Sequence, residues 1–181
     1  MKWIIASDLH GSFYYCEKLL NAFKQEKADR LLLLGDVLYH GPRNDLPRDY
    51  APKKVIDALN EIKDKIMCVR GNCDTEVDQM VLNFPILADY AIIDAGNALI
   101  YATHGHKYGG PDALPPVNKG DVLLFGHIHV PKNYDKDGIR IMNPGSVSIP
   151  KEGSPNSYMI FDGKAFCWKD LEGNAYDKFV F

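Results

Sequence analysis

Basic side chains are in short supply: 21 Lys and Arg stand against 24 Asp and Glu in 181 residues, a formal net charge of -3. That balance leaves no broad cationic face for nucleic acid or for an anionic membrane. No apolar run approaches the ~20 residues needed to cross a bilayer, and the chain enters strand-like Trp3 to Ala6 without the basic and apolar segments of a secretory leader. The expectation is a soluble cytoplasmic protein. The four cysteines, Cys16, Cys68, Cys73 and Cys167, make no C-x-x-C pair, so neither a structural zinc site nor a disulfide framework is expected. G-x-x-x-x-G-K-[ST], G-x-S-x-G and H-E-x-x-H are also missing, which argues against a P-loop kinase, a serine hydrolase and a zincin.

What is present is a series of polar signatures, each placed after an apolar run: Asp8-Leu9-His10, Gly35-Asp36, Gly71-Asn72, Thr103-His104-Gly105-His106, Gly126-His127-Ile128-His129 and Asn143-Pro144-Gly145-Ser146. The runs in front of them, such as Leu31 to Leu34 and Val122 to Phe125, read as buried strands. A strand that ends in Gly-Asp or Gly-Asn turns sharply, and its last polar side chain projects from the carboxyl edge of the sheet. Converging edges would bring together His10, His104, His127, His129, Asp8, Asp36 and Asn72. Neutral imidazole with carboxylate and carbonyl oxygens suits Mn, Fe, Zn or Mg in an open geometry. These are the side chains of a two-metal site.

Hydrophobic residues make up 46% of the chain, enough for one globular domain over residues 1–181. Ser12 is a fair N-cap, and Cys16, Leu19, Leu20 and Phe23 share one face of a helix over 13–26. Pro52 suits the first turn of a second helix with Val55, Ile56, Leu59 and Ile62 on one face. Asp74 is placed to cap a short helix holding Val77 and Met80, and reads equally as an acceptor of hydrogen bonds behind the candidate ligands. The start is therefore βαβαβ with parallel strands. From Ile86 onward helices fade, and Asp94 to Asn97, Asp135 to Gly138 and Asp162-Gly163 are hairpin signals. The expected architecture is α/β, a four-layer α-β-β-α sandwich of two mixed sheets flanked by helices.

In order and spacing the signatures match D-x-H, G-D, G-N, H-G-H and G-H-x-H, and from Ile4 to about Ser148 the sequence resembles the calcineurin-like metallophosphoesterases. Gly35-Asp36-Val37-Leu38, His40-Gly41-Pro42-Arg43-Asn44, Gly71-Asn72-Cys73-Asp74 and Asn143 to Ser148 are similar to the small bacterial YfcE-type phosphodiesterases within that family. The resemblance implies one metal on Asp8, His10 and His129, a second on Asn72, His104 and His127, and Asp36 bridging them. Manganese is the first choice, with Mg, Zn, Ni, Co or Fe as alternatives. A carboxylate shared between cations ~3.5 to 4 Å apart offsets their repulsion and leaves room for a bridging hydroxide, the expected nucleophile. Asp36 and Asn72 are the expected catalytic residues, and the substrate class is a small or aryl phosphate diester. The resemblance also suggests a homo-dimer or homo-tetramer.

Larger family members carry His where this chain has Cys73, and a neutral thiol is a poorer acid near neutral pH. Cys73 reads equally as a substrate contact or as a packing residue. Arg43, on the loop after Asp36, reads as a fork for phosphate or as a solvated loop cation. His40 is its companion as a substrate-binding candidate, His106 has no assigned metal role and reads either as orienting a ligand or as exposed, and Asn143 to Ser146 read as a tight turn that the resemblance implies packs beneath the metal ligands. Two rival functions share the fold: a protein-interaction scaffold like the small subunit of retromer, and a nuclease. A filled set of seven donors favours the enzyme over the scaffold, and the acidic balance counts against the nuclease.

Overall fold

Successive side chains of the first strands part to two different layers. In the computed structural model, which describes residues 1–109 and 113–181, β1 (Trp3–Ala6) and β2 (Arg30–Leu33) pair in parallel, with Ile4 opposite Leu31 and Ile5 opposite Leu32. Ile4, Ala6, Leu31 and Leu33 pack on one side with Cys16, Leu19 and Phe23 of α1 (Phe13–Gln25) and with Val55 and Leu59 of α2 (Pro52–Asn60). Ile5, Leu32 and Leu34 face the other way, into a second cluster with Ile100, Ala102, Val122, Leu124 and Met142. Burial on both faces explains why these strands read as unbroken apolar runs instead of alternating ones.

β2 also pairs in parallel with β3 (Ile66–Cys68), and β1 pairs antiparallel with β9 (Ser157–Phe161). With β10 (Ala165–Asp170) and β11 (Ala175–Val180) the first sheet runs β11-β10-β9-β1-β2-β3. The second sheet is built from β4 (Tyr90–Asp94), β5 (Leu99–Thr103), β6 (Val122–Leu124), β7 (Lys132–Lys136) and β8 (Ile139–Asn143), in the order β4-β5-β6-β8-β7. Both sheets mix parallel and antiparallel pairs, as expected of the sandwich. Trp168 on β10 is fully buried and donates its indole N–H to the Asn143 carbonyl at 2.8 Å, tying one sheet to the other.

The helices lie in the first half of the chain. On the outer face of the second sheet, Leu123, Phe125, Ile139 and Ile141 are covered by partly buried Leu114, Val117, Ile128 and Tyr134, so among the described residues that layer is loop and strand side chains. Ser12 caps α1 as expected, accepting from the Tyr15 N–H. The short helix α3 (Glu76–Gln79) is capped by Thr75, which forms a capping box with Asp78. Asp74 therefore does not cap it, and its carboxylate is used elsewhere. β7 and β11 escape a reading of apolar runs because they are edge strands with polar residues, β7 mostly half-buried and β11 mostly exposed.

Candidate metal centre

The chain puts side chains with unusual backbone angles at the carboxyl edges of its strands. Asp8, His10, Asp36, His127 and His129 all have positive φ, between 50° and 67°. Asp and His tolerate this left-handed region better than most residues, yet it still costs on the order of 1 kcal/mol each and persists only where the surroundings impose it. Those surroundings are hydrogen bonds from distant segments. The Asp74 carboxylate accepts from the backbone N–H of Asp36 at 2.8 Å, Val37 at 2.9 Å and Gly71 at 2.7 Å, joining the loop after β2 to the loop after β3. Ser146 and Ser148 both donate to the Asp8 carbonyl, at 2.9 and 3.0 Å. Asn143 donates to the Gly126 carbonyl at 2.7 Å, directly before His127. This is the work of the Asn-Pro-Gly-Ser segment: it braces the turns that carry the candidate ligands.

The imidazoles are oriented by the same means. His10 Nδ1 lies 2.8 Å from the Tyr39 carbonyl, His104 Nδ1 2.7 Å from that of Leu34, and His129 Nδ1 2.8 Å from that of Ile149. A carbonyl only accepts, so each Nδ1 carries the hydrogen and each Nε2 offers a bare lone pair in the neutral ring. Those lone pairs face other acceptors. His10 Nε2 and His129 Nε2 are 3.2 Å apart, and His104 Nε2 is 3.0 Å from Asn72 Oδ1. Asp8 Oδ1, fully buried, has no hydrogen-bond donor and sits 3.2 Å from His129 Nε2.

Electrostatics adds to this surplus of acceptors. Burial pushes the Asp8 carboxyl up, but His10 and His129 beside it hold it well below the usual carboxylate range. Asp36 is likewise lowered against its burial, by His104. Burial alone would lower His104; the two carboxylates override it and raise the ring to about 9, so that a proton on Nε2 competes with a cation for the same carboxylates. A buried cluster that keeps its carboxylates ionised and its ring nitrogens aimed at acceptors fits a cation. Three sets of ligand atoms lie within 4.8 Å of one another: Asp8, His10 and His129; Asp8, Asp36 and His104; His10, Asp36 and Cys73.

Residues 1–165 match the model of the calcineurin-like phosphoesterase superfamily domain. The chain belongs to that superfamily. It is 51% identical to phosphodiesterase YfcE of Escherichia coli over 162 residues, which cover 90% of this chain and 88% of the relative. The solved structure of that E. coli phosphoesterase superposes with a TM-score of 0.95 at 46% identity, covering 99% of each chain. Wild-type Vps29 of Entamoeba histolytica complexed with zinc superposes with a TM-score of 0.65 at 19% identity over 99% of each chain, a likeness of fold alone. Membership implies divalent metal ions, and the acceptor cluster is where this metallophosphoesterase has donors for them.

Asp8, His10, Asp36, His104 and His129 are thus brought together as the sequence leads one to expect, and Asn72 joins them through its 3.0 Å approach to His104. The His127 ring meets that of His104 edge to face at 5.1 Å, and its backbone N–H donates to Asp8 Oδ2 at 3.0 Å. A cavity of about 440 Å3 opens over the cluster, lined by Asp36, Asn72, Cys73, His127 and His129 and also by Arg43 and Lys151. Cys73 faces it with a thiol that burial and the Asp36 carboxylate keep neutral. His40 does not line this cavity: its ring packs edge-on between Tyr39 at 4.8 Å and Tyr50 at 5.2 Å. The His106 ring lies 5.4 Å from His104 and is half-buried. Lys151 was not singled out by sequence. Its signal is its place, three residues after Ser148 in the segment that braces the site, with its N–H on the His129 carbonyl at 3.1 Å.

Proposed function

We propose that the chain is a metal-dependent phosphodiesterase of small or aryl phosphate diesters, with residues 1–181 working as one domain. The observation that carries this reading is the position of one oxygen: Asp36 Oδ2 lies 3.7 Å from His10 Nε2 and 3.5 Å from His104 Nε2. It thus faces two groups of lone-pair donors at once. In this reading Asp8, His10 and His129 would hold one divalent ion, Asn72, His104 and His127 would hold a second, and Asp36 would serve both. Manganese is the first choice because the set mixes imidazole with carboxylate and amide oxygen. Bound there, the ions supply Lewis acidity toward the phosphate and lower the pKa of water enough to make a nucleophile at neutral pH.

The protein's own groups do the rest. The three Nδ1–carbonyl bonds fix the tautomer and aim of His10, His104 and His129, so no reorientation is needed when the site fills. Arg43 and Lys151, cations on the wall of the cavity, hold phosphate oxygens that the ions do not cover. In a chain whose formal net charge is -3 overall, such localised cations suit a small anionic ester better than a nucleic-acid strand. The four cysteines are free, which supports a reducing, cytoplasmic setting.

The test is to strip the purified protein with a chelator and resupply Mn, Mg, Zn, Ni or Co, measuring hydrolysis of an activated aryl diester and of its monoester. Activity should return with metal and favour the diester, and Asp36→Asn should abolish it with the fold intact. Near-normal turnover by Asp36→Asn would end the shared-ligand assignment. Ion binding without hydrolysis of any ester would make the chain a scaffold. Sedimentation of the same samples tests the dimer or tetramer.

A further inference from the structure

Cys73 borders two cavities. On one side is the polar cavity over the acceptor cluster, and on the other is a groove of about 330 Å3 lined mainly by Leu38, Tyr39, Tyr50, Ile56, Val77 and Val81. Its surface is apolar yet open to solvent: Val77 is 69% exposed and Tyr39 and Val81 are each 42% exposed. The acidic side chain on its wall, Asp78, is occupied by its own helix cap, accepting from Thr75 N–H at 2.8 Å and Thr75 Oγ1 at 2.9 Å. The aromatic wall is held firm, with Tyr39, His40 and Tyr50 stacked edge to face. It is also tied to the candidate metal centre, because the Tyr39 carbonyl is the group that orients His10.

The two cavities differ in the chemistry they accept. The one with Arg43, Lys151 and the ligand cluster suits a phosphate, and the one with valines, tyrosines and leucine suits a carbon skeleton. In a phosphodiester these two parts are one ester bond apart, and here Cys73 lines both cavities. We infer that the groove beyond Cys73 is the subsite for one ester group of the substrate, so that the enzyme selects diesters carrying an aromatic or branched apolar group directly on the phosphate. This rests on the phosphodiesterase reading above and goes further by naming the part of the molecule that gives selectivity.

The experiment compares diphenyl phosphate with dimethyl phosphate on the Mg-loaded protein, following methyl NMR signals of Leu38, Ile56, Val77 and Val81. Diphenyl phosphate should shift those methyls and bind roughly tenfold or more tightly than dimethyl phosphate, the gain expected from burying most of one ring. Val77→Asn/Val81→Asn, neutral changes at solvent-facing positions, should remove that preference and leave dimethyl phosphate binding unchanged. If diphenyl phosphate binds with no preference, or shifts only residues around His127 and Arg43, the groove is not a subsite although the hydrolytic reading stands. If the double variant instead changes the oligomeric state in sedimentation, the groove is a contact between copies and the inference is overturned. If neither phosphate binds and no diester is hydrolysed, the hydrolytic reading falls with it.

Discussion

The backbone N–H of Asp36 ends on the carboxylate of Asp74, at 2.8 Å. Asp74 is buried, and the same carboxylate takes the N–H groups of Val37 and Gly71. A residue that touches no ion thus fixes the candidate ligand that two ions would share.

Asp74→Asn replaces one acceptor oxygen with a donor that confronts backbone N–H groups. The expected result is a loss of about 3 kcal/mol of stability, from buried N–H groups left unpaired, together with roughly 10- to 100-fold weaker metal binding. Urea unfolding with and without Mn measures both. Unchanged metal affinity in the folded variant would separate Asp74 from the site.

Gly71→Ala tests the close approach of two loops. A Cβ at Gly71 would overlap the Asp36 carboxylate and its amide nitrogen, neither of which has room to retreat. We expect about 1–3 kcal/mol of destabilisation from overpacking and a loss of activity larger than the loss of folded protein. Gly96→Ala is the control: there a Cβ meets open space, so only the positive φ of 87° is penalised. Equal effects of the two substitutions on turnover would refute the steric argument.

Asp8→Asn should destabilise the protein even when it is stripped of metal, because His10 and His129 hold the Asp8 carboxyl well below its ordinary range and its ionised form therefore favours the native state. The Asp8 side chain is fully buried with one oxygen undonated and 3.2 Å from a ring nitrogen that lacks a hydrogen in its neutral form. An amide there gives up the charge that the two rings hold in place, a loss of about 1–2 kcal/mol in chelator. Added Mn, which should raise the melting temperature of the parent protein by binding its native state, should do little for the variant. A variant more stable than the parent in chelator would contradict the coupling of Asp8 to His10 and His129.

The Cys73 thiol, kept neutral by burial and the Asp36 carboxylate, is a poor proton donor to a leaving alcohol. Without general acid assistance, typically worth about 10²- to 10⁴-fold, rates across a series of aryl diesters should fall steeply as the pKa of the released phenol rises. A flat plot, with chemistry shown to limit the rate, would require an acid elsewhere in the cavity.

The sequence by itself determined the donors, their order and the strands that carry them. Apolar runs and Gly-Asp or Gly-Asn turns are local features, set by side-chain hydrophobicity and by the few residues that tolerate a sharp turn. Asp8, His10, Asp36, Asn72 and the later histidines were legible for that reason, as were α1, α2 and the hairpins. Other features depended on contacts between segments far apart in the chain. Only the packed sheets place the Leu34 carbonyl against His104, 70 residues away, and thereby decide which nitrogen of that ring is free. The role of Asp74, the cation at Lys151, the edge strands β7 and β11, and the position of Cys73 between a polar cavity and an apolar groove were decided the same way. Residue type sets what a group can donate or accept, whereas the partner it meets is fixed by strand register and by which loops the two sheets bring to one edge.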